Sequence, residues 1–152
     1  MSNDESIALI VERQAVIDVL SRYARGIDRR DAKLYRSCLT DRIDVKMAQM
    51  GGPDMAADDW VTEAFSASAR YTSTQHLITN HDVQFPDGAG GDRALCVAYL
   101  QAQHWTEEES MLLGGRYDHE LRREDGAWRL HRLGLHIDWV EMTPSPDPSD
   151  RP

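Results

Sequence analysis

Gly114-Gly115-Arg116-Tyr117-Asp118-His119-Glu120-Leu121-Arg122-Arg123-Glu124-Asp125-Gly126-Ala127-Trp128-Arg129-Leu130 is the stretch that decides the fold. Its Asp125-Gly126 pair is the strongest short hairpin signal, a two-residue turn in which both residues take positive φ. With that loop, Glu124 pairs with Ala127, Arg123 with Trp128, Leu121 with Leu130, His119 with Arg132 and Tyr117 with Gly134. One face then holds Tyr117, His119, Leu121, Trp128, Leu130, Arg132 and His136. The other holds Arg116, Asp118, Glu120, Arg122, Arg129 and His131 before turning apolar at Leu133, Leu135 and Ile137. Trp128 and Leu130 mark the first face as the core side. Farther from the turn that face becomes polar, as the wall of a lined pocket does. A bulge near Gly134 that swaps the two faces is the other reading.

Working outward, Gln75–Phe85, Arg93–Trp105, Ser110–Arg123 and Ala127–Glu141 read as strands. Upstream, Ile7, Ile10, Val11, Ile17, Leu20, Ala24 and Ile27 recur at three- and four-residue steps, an amphipathic helix that Asn3 or Asp4 can cap. Asp31 caps a short second helix through Leu39, and a third runs from about Asp58 to Ala69 with Trp60, Val61, Ala64 and Phe65. Helices followed by an antiparallel meander predict an α+β fold, the three helices packed on one face of a curved sheet. Residues 1–142 form one domain, and the Pro-rich segment 143–152 reads as a disordered tail.

Composition bounds the function. The 152 residues carry 17 Lys+Arg against 26 Asp+Glu, a net charge of −9. Without a basic cluster to neutralise phosphates, nucleic acid is not an expected partner. No apolar run is long enough for a membrane span, and the polar, acidic start lacks the pattern of a signal peptide. Cys38 and Cys96 make no disulfide framework and read as buried small hydrophobes, consistent with a cytoplasmic setting.

Few residues stand out for chemistry. Asp28 falls at the end of the first helix, where the dipole disfavours a carboxylate. Either the charged turn Asp28-Arg29-Arg30-Asp31 is simply solvated, or Asp28 points inward to a partner such as a histidine. Tyr23 precedes it by five residues, about 500° of helix, so the two directions differ by roughly 140°. They serve one pocket only if the helix ends or bends near Gly26. His76 begins a strand after Thr72-Ser73-Thr74-Gln75, at a sheet edge or cavity mouth. His76/His81 and His131/His136 are five apart on strands, hence on opposite faces within each pair, and no metal site is expected.

The chain resembles the SnoaL-like branch of the nuclear-transport-factor-2 (cystatin-like) superfamily over residues 5–142. The resemblance is carried by Tyr23-Ala24-Arg25-Gly26-Ile27-Asp28, by Thr74-Gln75-His76-Leu77-Ile78-Thr79-Asn80, and by the hairpin quoted above. It implies a cone-shaped fold and, among the lyases of the group (hexachlorocyclohexane dehydrochlorinase, scytalone dehydratase and bile-acid 7α-dehydratase), a His–Asp dyad. His76 would then be the general base and Asp28 its orienting partner. Tyr23 matches a pocket tyrosine, Arg132 a cation on the last strand, and His104 a second histidine. Tyr117 and His119 join them as pocket residues through the hairpin register. The implied activity is a cofactor-independent lyase acting on a small apolar or polycyclic molecule. Polyketide-cyclase or isomerase chemistry, or ligand binding without catalysis, are the alternatives. A homodimer or homotrimer through the outer sheet face is the implied assembly.

Overall fold

The computed structural model describes residues 2–47 and 49–144. Helix α1 (Asn3–Asp28) opens the chain, followed by α2 (Ala32–Ser37), strand β1 (Leu39–Met47), the two-residue strand β2 (Met55–Ala56) and α3 (Ala57–Ser68). Four long strands complete it: β3 (Ser73–Gln84), β4 (Arg93–Trp105), β5 (Glu109–Glu124) and β6 (Ala127–Pro144). They form one six-stranded sheet in the order β2-β1-β6-β5-β4-β3. The α+β class is as expected, with two additions: β1 enters beside β6 as a parallel strand, Val45 opposite Leu133, and the short β2 pairs antiparallel with β1. The second helix stops at Ser37, so Leu39 starts that strand instead of ending the helix.

The cap of α1 also lies upstream of the expected residues. Ser2 accepts from the Glu5 N–H while the Glu5 carboxylate accepts from the Ser2 N–H, a reciprocal capping box. Only the second half of α1 is buried, through Val16, Val19, Leu20, Tyr23, Ala24 and Ile27. Ile7, Ile10 and Val11 stay exposed although they continue the same stripe. Asp31 caps α2 by accepting from Leu34 N–H at 2.8 Å. Gly26 lets the two helices close, since a Cβ there would meet the Tyr35 backbone at 2.8 Å.

At the hairpin tip the register is the expected one, and Asp125 and Gly126 have φ of 51° and 76°. Beyond Leu121↔Leu130 it shifts. Glu120, not His119, faces Arg132, and Tyr117 faces Leu135 in place of Gly134, because His131 is an extra residue on β6. Faces therefore swap on β6, at His131 and three residues before Gly134. A second shift leaves Asp138 unpaired between Ile137 and Trp139. The end of β6 differs as well: Thr143 and Pro144 pair with Ser110 and Glu109, so the strand includes the first two residues of the expected tail. Residues 145–152 lie outside the described residues.

The candidate active site: a half-buried His–Asp pair on an apolar cavity

Helix α1 delivers Asp28 at its last turn, and β3 delivers Thr74 and His76 on one face, two residues apart. The carboxylate is saturated by β3. His76 Nδ1 lies 2.7 Å from Oδ1, the His76 backbone N–H donates to Oδ2 at 2.9 Å, and the Thr74 hydroxyl donates to Oδ1 at 2.9 Å. Those three donors answer the misplacement of a carboxylate at a helix C-terminus. Burial pushes the Asp28 carboxyl up, but the His76 and Thr74 hydrogen bonds and the His76 charge together hold it below its ordinary value. An ionised Asp28 accepts the Nδ1 proton, which fixes the neutral imidazole with Nε2 bare.

His76 forms part of the wall of a cavity of about 280 Å³ between α1, α2, α3 and the inner sheet face. Opposite it on β4 stands Ala102, whose small side chain leaves the space open. Tyr23 also reaches the cavity, although α1 runs unbroken through Gly26. The angular conflict is resolved differently: Asp28 does not line the cavity but stands behind His76, so the two residues need not share a direction.

A chain of polar groups forms the opposite wall. Trp60 Nε1 donates to the Tyr35 hydroxyl at 3.1 Å, and that hydroxyl donates to Tyr23 Oη at 2.7 Å. The indole N–H can only donate, and with the Tyr35 O–H given to Tyr23 Oη the Tyr23 O–H is left over. Burial drives the Tyr23 and Tyr117 phenols well above their ordinary range, which keeps both protonated as donors. Tyr117 also lines the cavity.

His104 lines it too, its ring 5.5 Å from that of His76 and edge-on to it. Burial, then the neighbouring His76, Arg70 and Arg30 charges, push His104 down to about 4, so it is neutral near pH 7. Its Nδ1 is buried without a hydrogen-bond partner.

Two expected pocket residues are placed elsewhere. Arg132 lies on the outer face, 3.3 Å from Asp118 and 3.7 Å from Glu120, because the His131 bulge turns it over and sends Leu133, Leu135 and Ile137 inward. His119 is fully buried but does not line the cavity. It stacks on Tyr117 at 4.5 Å, accepts from Gly134 N–H at 3.3 Å, and burial pushes it down to about 3. The expected split of His76 and His81 also fails. A bulge at Asn80, with φ of 53°, returns the burial pattern to the same face at His81.

Tyr35, Trp60, Arg70 and Thr74 were not legible as site residues. Thr74 carried a signal, two residues before His76 and so on its face. Tyr35 and Trp60 carried none, since helical spacing marks burial and says nothing of a hydroxyl's partner. From α3, Trp60, Ala64, Ala67 and Ser68 line the cavity, as do Leu100 and Ala102 of β4, while Leu77, Thr79, Tyr99 and Gln101 border an outer groove. Among the described residues no three His, Cys, Asp or Glu side chains converge as metal ligands.

A curved sheet, a small apolar cavity and a half-buried His–Asp pair define a class of pocket-bearing α+β proteins. Within it, the chain belongs to the SnoaL-like domain family, which matches residues 9–134. It is similar to the "Terrestric acid biosynthesis cluster protein E" of Penicillium crustosum, 26% identical over 137 residues, 84% of either chain. A Novosphingobium aromaticivorans structure named as a scytalone dehydratase superposes with a TM-score of 0.79 at 17% identity, over 90% of each chain. A type 2 hexachlorocyclohexane dehydrochlorinase gives 0.74 at 21% identity, over 93% of each. Those two likenesses are of fold.

Proposed function

We propose that the protein is a cofactor-independent lyase of dehydratase or dehydrohalogenase type, with His76 as general base. The 2.7 Å bond between His76 Nδ1 and Asp28 is the observation that carries this reading. It leaves a bare Nε2 on an apolar cavity, the form a base needs, in a residue whose ordinary pKa lies near working pH. Nε2 takes a proton from a carbon of the substrate. The C–H electron pair becomes the second bond of the alkene, and the leaving group departs from the adjacent carbon with its own pair. Asp28 stabilises the imidazolium so formed. The leftover Tyr23 O–H donates to the oxygen or halogen on which charge develops. A cyclase would use the same proton abstraction but close a carbon–carbon bond with the resulting carbanion; the biosynthetic name of the fungal relative keeps that chemistry in view.

The reading also includes a homodimer or homotrimer. A second copy would cover the outer groove, where Leu77, Tyr99 and Trp139 are 50%, 57% and 45% exposed. A monomer mass by light scattering at micromolar concentration would contradict it.

A test needs no knowledge of the natural substrate. 5-Nitrobenzisoxazole is a compact neutral bicycle that eliminates on loss of one carbon-bound proton, with breakage of its N–O bond to give a coloured phenolate. The protein is expected to accelerate this reaction, and His76→Ala to lose about 10²-fold or more. Full turnover by His76→Ala would refute the base assignment.

A further inference from the structure

We propose that the cavity takes an apolar molecule bearing one anionic group, in its simplest form a carboxylate, and that Arg70 at the rim binds that group. This rests on the cavity being a substrate site, as argued above. Arg70 follows α3 and, among the described residues, is the one Arg, Lys, Asp or Glu side chain on the lining. The Asp28 carboxylate is spent on His76 and Thr74 behind the wall.

In a chain with 26 carboxylates and 17 Lys+Arg, most arginines can find an acid. Among the described residues Arg70 has none within ion-pair distance. Neutral contacts place it instead: its guanidinium sits 4.7 Å over the Tyr71 ring and donates to the Tyr71 hydroxyl. Tyr71 in turn packs against His104, their centroids 4.7 Å apart, so the guanidinium is tied to the cavity wall. Arg30 adds a second cation beneath the same segment, donating to the Ser68 and Tyr71 carbonyls at 2.9 and 3.1 Å, again not to an acid. The rim is thus positive while the interior is apolar. A planar guanidinium held by stacking and lacking a counter-ion fits a bidentate oxyanion. A neutral substrate would gain nothing from it, and a cationic one would be repelled.

The matched probes are 2-naphthoate and 2-naphthalenemethanol, one ring system with and without the charge, titrated by calorimetry. The wild-type protein is expected to bind naphthoate about tenfold tighter. Arg70→Gln should remove that gap and Arg70→Lys should keep part of it; both changes are at an exposed position. Ala67→Trp, on the same lining, should weaken both probes together and so place them in this cavity. Equal affinities in the wild-type protein, a gap that survives Arg70→Gln, no binding of either probe, or binding indifferent to Ala67→Trp would each overturn the inference. The two readings fail separately. If His76→Ala keeps full elimination, the base assignment falls and the calorimetric gap is untouched. If the gap is missing, this inference falls while the elimination still depends on His76.

Discussion

The inner sheet surface has two ends built on one pattern and put to different use. At the hairpin end, Leu121, Trp128 and Leu130 are buried and Phe85 packs on Trp128, while Glu12, Arg123 and Trp128 border a separate groove beside α1. Glu12 there accepts from Trp128 Nε1 at 2.7 Å and from Arg123 at 2.8 Å, which holds its carboxyl below the ordinary value. At the other end, Ala64, Ala67 and Ala102 face the space where large side chains would otherwise meet, and the volume stays open. Each end holds an inner histidine. His119 has only a backbone N–H to accept from and a stacked ring, whereas His76 has a carboxylate and a cavity. A buried imidazole becomes a candidate base through what its two nitrogens meet, and burial alone does not supply that.

If the hairpin end is the closed core, Trp128→Ala should cost about 3–5 kcal/mol in urea unfolding. Leu135→Ala, which already borders open space, should cost less than half as much; equal costs would erase the distinction. At the open end, Asp28→Asn should keep the cavity but let His76 adopt the other tautomer. Elimination of 5-nitrobenzisoxazole should then fall about 10²-fold or more, and a rate within about twofold of wild type would show that Asp28 does not orient the base. Tyr23→Phe removes the Tyr23 hydroxyl as a donor to the cavity and as the acceptor of the Tyr35 hydroxyl. Its expected cost is about tenfold in the same rate, the worth of one hydrogen bond, together with about 1–3 kcal/mol of stability for the partner lost to the buried Tyr35 hydroxyl.

The smallest effect is one of pH. His104 and His119 have folded values of about 4 and about 3, below the ordinary 6.5 of histidine. The unfolded chain therefore binds their protons first, and their contribution to stability is lost as pH falls from about 6.5 toward 4. Asp28 acts lower: its depressed value supports the fold above about pH 4 and that support is lost as pH falls through it. The Tm should drop between pH 7 and pH 5, less so in His104→Gln. A Tm that holds or rises on acidification would contradict these assignments.

Much of the fold was readable because the residues that set it act locally. Asp125-Gly126 dictates its turn, Asp31 caps its helix, and the apolar period of α1 ends at Ile27, one residue before the helix does. Strand β1 was not readable, since Leu39–Met47 alternates with charges and its partner is the distant, parallel β6. The site split the same way. The misfit of Asp28 with the helix dipole pointed to a partner, and His76 is found in contact with it. Arg132 was misassigned because one extra residue, His131, reverses every later face of β6, the swap that the apolar turn at Leu133, Leu135 and Ile137 left as the other reading; His119 keeps its expected inner face on β5 but lies outside the cavity lining. The Asn80 bulge hid the shared face of His76 and His81 in the way the His131 bulge hid that of Arg132.

The central claim is that Asp28 holds the His76 ring with Nδ1 protonated and Nε2 bare toward the cavity. Long-range nitrogen–proton NMR correlations on the imidazole rings at neutral pH read this directly, with His76→Ala identifying the His76 signals. The account predicts the Nδ1–H tautomer for His76, lost in Asp28→Asn. An Nε2–H tautomer in the wild-type protein, or a pattern unchanged by Asp28→Asn, would contradict it.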